Sequence, residues 1–167
     1  MIDSNGINYF NFRNDKQRNT WLKAFREVYP QYADHNIYVK DCRKFEDAKD
    51  HEHLKHHCGL HPEIMHRLVN HEAWNGEMES LSRWIDPENA KTREQNKPLL
   101  ICCVCIAGRH RSEADRQTTS GSIEMAGGEV LKTTQLAKNS WEKKGCEFRT
   151  CRYCCHQDVT TFGGSPK

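Results

Sequence analysis

Hydrophobic and polar positions along the chain change period several times, and each change marks an element. Over 7–12, Ile7, Tyr9, Phe10 and Phe12 predict a first strand. Asn19 is placed to cap a helix whose apolar face is Trp21, Leu22, Phe25 and Val28, ending before Pro30. Ile37-Tyr38-Val39 predicts a short strand that empties into Asp41-Cys42-Arg43. The charged, His-rich stretch from there to His57 has no period and reads as a long loop, a kind that often carries function. Pro62 opens a helix with Ile64, Met65, Leu68 and Val69. A second, from about Gly76, aligns Met78, Leu81, Trp84 and Ile85 and stops before Pro87, and 86–98 is a polar linker. The continuous apolar run 99–106, between Pro98 and Ala107-Gly108, predicts a central strand buried on both faces. Ser112 then caps a helix reaching Gly127-Gly128. Its sparse apolar residues (Ala114, Ile123, Met125, Ala126) and internal Gly121 predict fraying. Residues 130–134 predict a last strand. This order implies a single-domain α/β fold: a mostly parallel open sheet, helices on both faces, and a phosphate-binding strand–turn–helix loop.

Composition narrows that picture. A chain of 167 residues suits one domain, but Leu, Ile, Val and Phe make up only about a sixth of it, so the core is thin. A net charge of +2 argues for folding rather than disorder. It also argues against a nucleic-acid coat or membrane attachment by charge alone. No apolar run is long enough to span a membrane, and Met1-Ile2-Asp3-Ser4 does not begin a signal peptide. Nine cysteines is an odd number, and Cys102, Cys103 and Cys105 crowd one run. Free thiols in a reducing compartment, cytoplasm or nucleus, follow. The expected organisation is 1–145 as the α/β domain, 146–156 as a Cys-rich knuckle, and 157–167 without fixed structure.

The chemistry concentrates at Cys105-Ile106-Ala107-Gly108-Arg109-His110-Arg111-Ser112. A strand ends there and a helix begins, so unpaired N–H groups and a positive dipole end meet beyond the sheet. Gly108 lets backbone approach a ligand, and Arg109, His110 and Arg111 supply cations suited to phosphate. The spacing is not that of a nucleotide P-loop. It is also C-x5-R-S, the pattern of cysteine-dependent phosphatases. In that reading Cys105 is the nucleophile, Arg111 holds phosphate, Ser112 assists the leaving thiolate, and Asp41 or Asp86 is the candidate acid.

Asp41-Cys42-Arg43 after a strand, Cys58-Gly59-Leu60-His61-Pro62 and the 105–112 loop together resemble the C-terminal domain family of RapZ, over about 37–136. Family members carry an Asp-x-Arg strand end, a Gly-Leu that opens a helix, and a G-G-K-H-R-S loop. Here Ala107 and Arg109 replace a Gly and a Lys, and Thr134-Gln135-Leu136 departs from a family His. The resemblance implies a domain that binds phosphate or a phosphosugar, used in bacteria for RNA binding and adaptor work. It also implies Arg43 as a further phosphate ligand oriented by Asp41.

Two clusters have metal-ligand character. Cys146, Cys151, Cys154, Cys155 and His156 give C-x4-C-x2-C-C-H, one knuckle plus neighbours, with Zn2+ on Cys146, Cys151, Cys154 and His156 as the expected set. His51, His53, His56, His57, Cys58 and His61 are irregularly spaced and read as solvated loop histidines, some of them lining the anion pocket.

Overall fold

Helix α1 (Asp15–Val28) precedes strand β1 (Asn36–Asp41), and helices α2 (Pro62–Val69) and α3 (Ala73–Ile85) lead to strand β2 (Leu99–Val104) and helix α4 (Arg111–Met125). The computed structural model describes residues 14–88, 93–94, 96–106, 108–134, 136, 146 and 151–154. The strand expected over 7–12 and the tail beyond 156 lie outside these. β1 and β2 pair in parallel, Asn36 opposite Leu99 and Asp41 opposite Val104, so the fold is α/β with an open parallel sheet. Parallel neighbours need a long crossover, and α2 and α3 are carried on it.

Several boundaries differ from the periodicity. Asn14, not Asn19, caps α1, its side chain accepting the Gln17 N–H at 3.0 Å. Trp21 and Phe25 still form the buried stripe. α3 begins at Ala73, because Trp74 extends the apolar face of Leu81 by two turns. β2 ends at Val104 and is only partly buried, so Cys105 and Ile106 belong to the loop. Residues 130–134 are irregular rather than a strand, and Leu131 there faces solvent.

The core is built largely from the segment that lacks period. Cys42, Phe45, Ala48 and Leu54 pack with Ile64, Leu68, Trp74 and Ala114. Short 3-10 turns at Cys42–Lys44 and Ala48–Asp50 carry those side chains inward, and Asp41 and Asp47 cap them by accepting the N–H groups of Arg43 and Lys49. Each apolar residue sits at a turn, so no regular spacing appears.

Fraying of α4 is not observed. The helix is continuous, and it closes with Gly127 (φ +83) in a Schellman motif, Gly128 N–H to Ile123 O at 2.9 Å and Gly127 N–H to Glu124 O at 3.0 Å. Its buried face is polar: Arg111, Ser112, Glu113, Asp115 and Thr119 beside Ala114. Lys40 of β1 reaches that face. Its ammonium donates to Asp115 Oδ1 at 2.7 Å and Thr119 Oγ1 at 2.8 Å, and lies 4.8 Å from the Trp74 ring. Cys42 donates to the other carboxylate oxygen at 3.1 Å.

Both ends of this pair are sealed from water, so removing one partner strands a charge. Asp115→Ala is expected to cost about 3–5 kcal/mol in urea unfolding, and Lys40→Met/Asp115→Leu much less. A double variant no more stable than the single one would show that the pair itself is indispensable.

Candidate functional site

The strand register brings the expected site residues together. With Asp41 opposite Val104, Asp41-Cys42-Arg43 and Cys105-Ile106 leave the sheet at the same edge, where open α/β sheets bind ligands. Asp41 grips the Arg43 guanidinium with both oxygens, Nε to Oδ1 at 2.7 Å and Nη2 to Oδ2 at 2.5 Å. Burial opposes the charge on Asp41, but the bonds from Arg43 outweigh it and hold the carboxyl below its usual range. The Arg43 guanidinium is raised chiefly by Asp41, and it also lies near enough to Cys105 to feel a charge on that sulfur.

The loop wraps around the Cys105 sulfur. Gly108, at φ +66, donates its N–H to Sγ at 3.2 Å, and the thiol donates to Ser112 Oγ at 3.1 Å. His110 is the N-cap of α4 without a side-chain bond to the first turn. Ala107 lies outside the described residues.

The three side chains that follow Gly108 turn towards protein. Buried Arg111 pairs with Asp47 at 2.8 Å and donates to the carbonyls of Arg43 (3.1 Å) and Phe45 (3.4 Å). His110 places Nδ1 3.1 Å from Asp47 and Nε2 2.9 Å from the His57 carbonyl. Arg109 donates to the His56 carbonyl at 2.8 Å. Together they bind the 105–112 loop to the 42–57 segment. Asp47 is the hub, and no motif in the sequence singled it out. Burial works against its ionisation, yet His110, the Lys49 N–H and Arg111 hold it down at about 2. Gly59 completes the seat. Its N–H bonds the Arg109 carbonyl at 2.8 Å, and a Cβ there would lie 2.3 Å from His110 O and 2.5 Å from Ala114 N.

The acid candidates separate. Asp41 is a carboxylate without a proton to give. Asp86 follows α3, which runs from Trp74 against Lys40 to Trp84 against Tyr38. Its carbonyl accepts from Arg93, next to Glu94 and the start of β1 at Asn36. That is the opposite end of the sheet from the loop.

The structure assembles a metal-type cluster with a different histidine from the expected one. His57 Nδ1 lies 3.6, 3.5 and 3.6 Å from the sulfurs of Cys146, Cys151 and Cys154. His156 lies outside the described residues, as does Cys155. His57 therefore leaves the group of solvated loop histidines, whereas His51 and His53 pair with Glu46 and Glu63 as surface groups do. His61 caps α2 and packs its ring at a tilt against His57, centroids 4.3 Å apart. Burial, then the neighbouring His61, His56 and Arg109, lowers the His57 pKa and keeps the ring neutral, the form that ligates. Spacing along the chain cannot reveal this partnership, because about ninety residues separate His57 from the cysteines. A second group, Cys42, Cys103 and Asp115, is different in kind. Burial pushes the Cys42 thiol up, and Lys40 already neutralises the carboxylate.

A profile of the RapZ C-terminal domain matches residues 23–135, more than half of the chain. No curated protein and no solved structure matches it. Among the described residues, no helix is long and apolar enough to cross a membrane.

Asp47 has a pKa lowered on folding, so its contribution is present above the unfolded value near 3.8 and is lost as pH falls towards 2. Acid titration of the wild type against Asp47→Asn should show a difference of at most about 2 kcal/mol, disappearing over that window. Gly59→Ala should separate the 58–62 corner from the loop, seen as accelerated amide exchange at the start of α4.

Proposed function

We propose that this chain, which belongs to the RapZ C-terminal domain family, holds a phosphate-type anion at the 105–112 loop, the ligand being a phosphorylated small molecule such as a phosphosugar. The observation that carries this is the α4 N-terminus without a side-chain cap, set beside the Asp41–Arg43 pair at the C-terminal edge of the sheet. The backbone of the loop at Ile106 and the start of α4 would meet phosphate oxygens, with the helix dipole behind them. Arg43, oriented by Asp41 along its Nε–Nη2 edge, supplies positive charge to the same point. Arg109, His110 and Arg111 act from behind, fixing the loop and adding positive potential. An RNA phosphate fits the same chemistry, and family membership supports it as a ligand class. With so few cations, such binding would be weak and salt-sensitive.

A cysteine-dependent phosphatase is the second reading, favoured by one observation: Cys105 sulfur receives the Gly108 N–H and contacts Ser112, as a loop that stabilises a thiolate would. Asp41 and Asp86 do not supply the acid such chemistry needs. Binding without turnover is therefore preferred. For the Cys/His cluster we propose Zn2+, since thiolate and imidazole are the ligands that ion favours.

Inorganic phosphate or a hexosamine phosphate at about a hundredfold over its dissociation constant should add roughly 2.7 kcal/mol to unfolding stability. Arg43→Ala should remove most of that gain without unfolding the protein, while Arg111→Ala should lose gain and stability together. Neither the wild type nor Cys105→Ser is expected to hydrolyse an aryl phosphate. Hydrolysis present in the wild type and in Cys103→Ser but lost in Cys105→Ser would reverse the ranking.

A further inference from the structure

We infer that His57, Cys146, Cys151 and Cys154 form a closed four-ligand zinc site that clamps the C-terminal knuckle onto the back of the anion loop, so that removing the metal loosens the anion site. The inference rests on the zinc assignment and on the anion site proposed for the 105–112 loop, and adds the fourth ligand and the link between the two.

The distances carry the ligand set. One imidazole nitrogen can make one hydrogen bond, yet His57 Nδ1 is nearly equidistant from three sulfurs, at 3.6, 3.5 and 3.6 Å. Equal spacing to three partners means a shared centre. With zinc–nitrogen near 2.05 Å and zinc–sulfur about 2.3 Å, a tetrahedral angle separates nitrogen from each sulfur by about 3.5 Å. All four ligand atoms lie within 4.8 Å of one another. Cys151-Arg152-Tyr153-Cys154 is a C-x2-C knuckle. The N–H groups of Cys154 and Tyr153 bond the Cys151 sulfur, which holds the knuckle closed around it. Cys58 bonds Cys154 without joining the four. Four protein ligands leave no open position, which makes the site structural.

The link runs through His57 itself. Its imidazole faces the sulfurs while its carbonyl accepts from His110 Nε2 at 2.9 Å. The next ring nitrogen of His110 meets Asp47, and Arg109 holds the adjacent His56 carbonyl. His61 packs at a tilt against His57, and Tyr153 of the knuckle packs edge-on against His61 at 5.3 Å. Without the ion only weak thiol–imidazole contacts join the knuckle to His57, and the knuckle would leave the loop.

The test uses the full chain, purified under reducing conditions with zinc. About one zinc per chain is expected, and cobalt substitution should give a tetrahedral d–d spectrum with thiolate charge-transfer bands. His57→Gln and Cys151→Ser should lose the metal, while His57→Cys, Cys58→Ser and His156→Gln keep it. Inorganic phosphate is the probe of the link: its affinity should fall at least tenfold after zinc removal, with far-UV circular dichroism largely retained. A wild type without zinc would overturn the proposal and leave the Arg43 phosphate test standing by itself. Zinc kept in His57→Gln but lost in His156→Gln would overturn the ligand set. Phosphate affinity unchanged by zinc removal would overturn the clamp. Should His57→Gln fail to fold, His57→Cys and the cobalt spectrum decide the question.

Discussion

The buried Lys40–Asp115 pair sets the arrangement of everything else. A charge sealed from water must be met on every side, and Lys40 satisfies this with Asp115, Thr119 and the face of Trp74. Those partners come from α4 and α3, so neutralising one ammonium fixes two helices against β1. The second oxygen of Asp115 takes the Cys42 thiol, which pins the residue where β1 ends and the long loop begins. With so few large aliphatic residues, hydrophobic burial alone would leave α4 free to slide. Directional bonds to a single buried cation give it one position, and its N-terminus arrives at the sheet edge.

A second layer of polar contacts then shapes the loop. Asp47 takes Arg111 and His110 together, and the carbonyls of Arg43, Phe45, His56 and His57 take the remaining donors. Cations that a linear reading assigns to a phosphate are thus spent on holding the backbone that would meet one. The division suits an anion site, because preorganised amide donors do not reorganise when the ligand arrives. In the proposed site Arg43, restrained by Asp41 but only partly buried, is the side chain that would touch a ligand. The loop owes its shape to residues 43–57 as much as to its own sequence, and the Cys/His cluster rests on the same segment.

That segment explains a property of the chain as a whole. Its histidines and acids are irregularly spaced because each serves a different neighbour: Asp47 the loop, His57 the cysteines, Glu46 and His51 a surface pair. Its apolar residues Phe45, Ala48 and Leu54 serve the core from successive turns. A stretch that looks like a solvated connection is the hinge on which core, 105–112 loop and Cys/His cluster meet.

The sequence by itself determined the α/β class, the helices opened by Pro62 and closed before Pro30 and Pro87, the strand–turn–helix unit at 105–112, and the family. These are legible because they depend on local properties: period, caps, breakers and contiguous motifs. It also pointed to Cys146, Cys151 and Cys154, whose spacing is local. What tertiary structure decided is the partnership of residues far apart in the chain. The integrity of α4 was hidden because its buried face is polar and answers to Lys40, seventy-five residues away. Asp47 as hub and His57 beside the cysteines were hidden for the same reason. Apolar burial leaves a periodic trace along the chain because any apolar neighbour will do. A buried charge or a ligand atom needs one particular partner at one distance, and only the folded chain determines which residue that is.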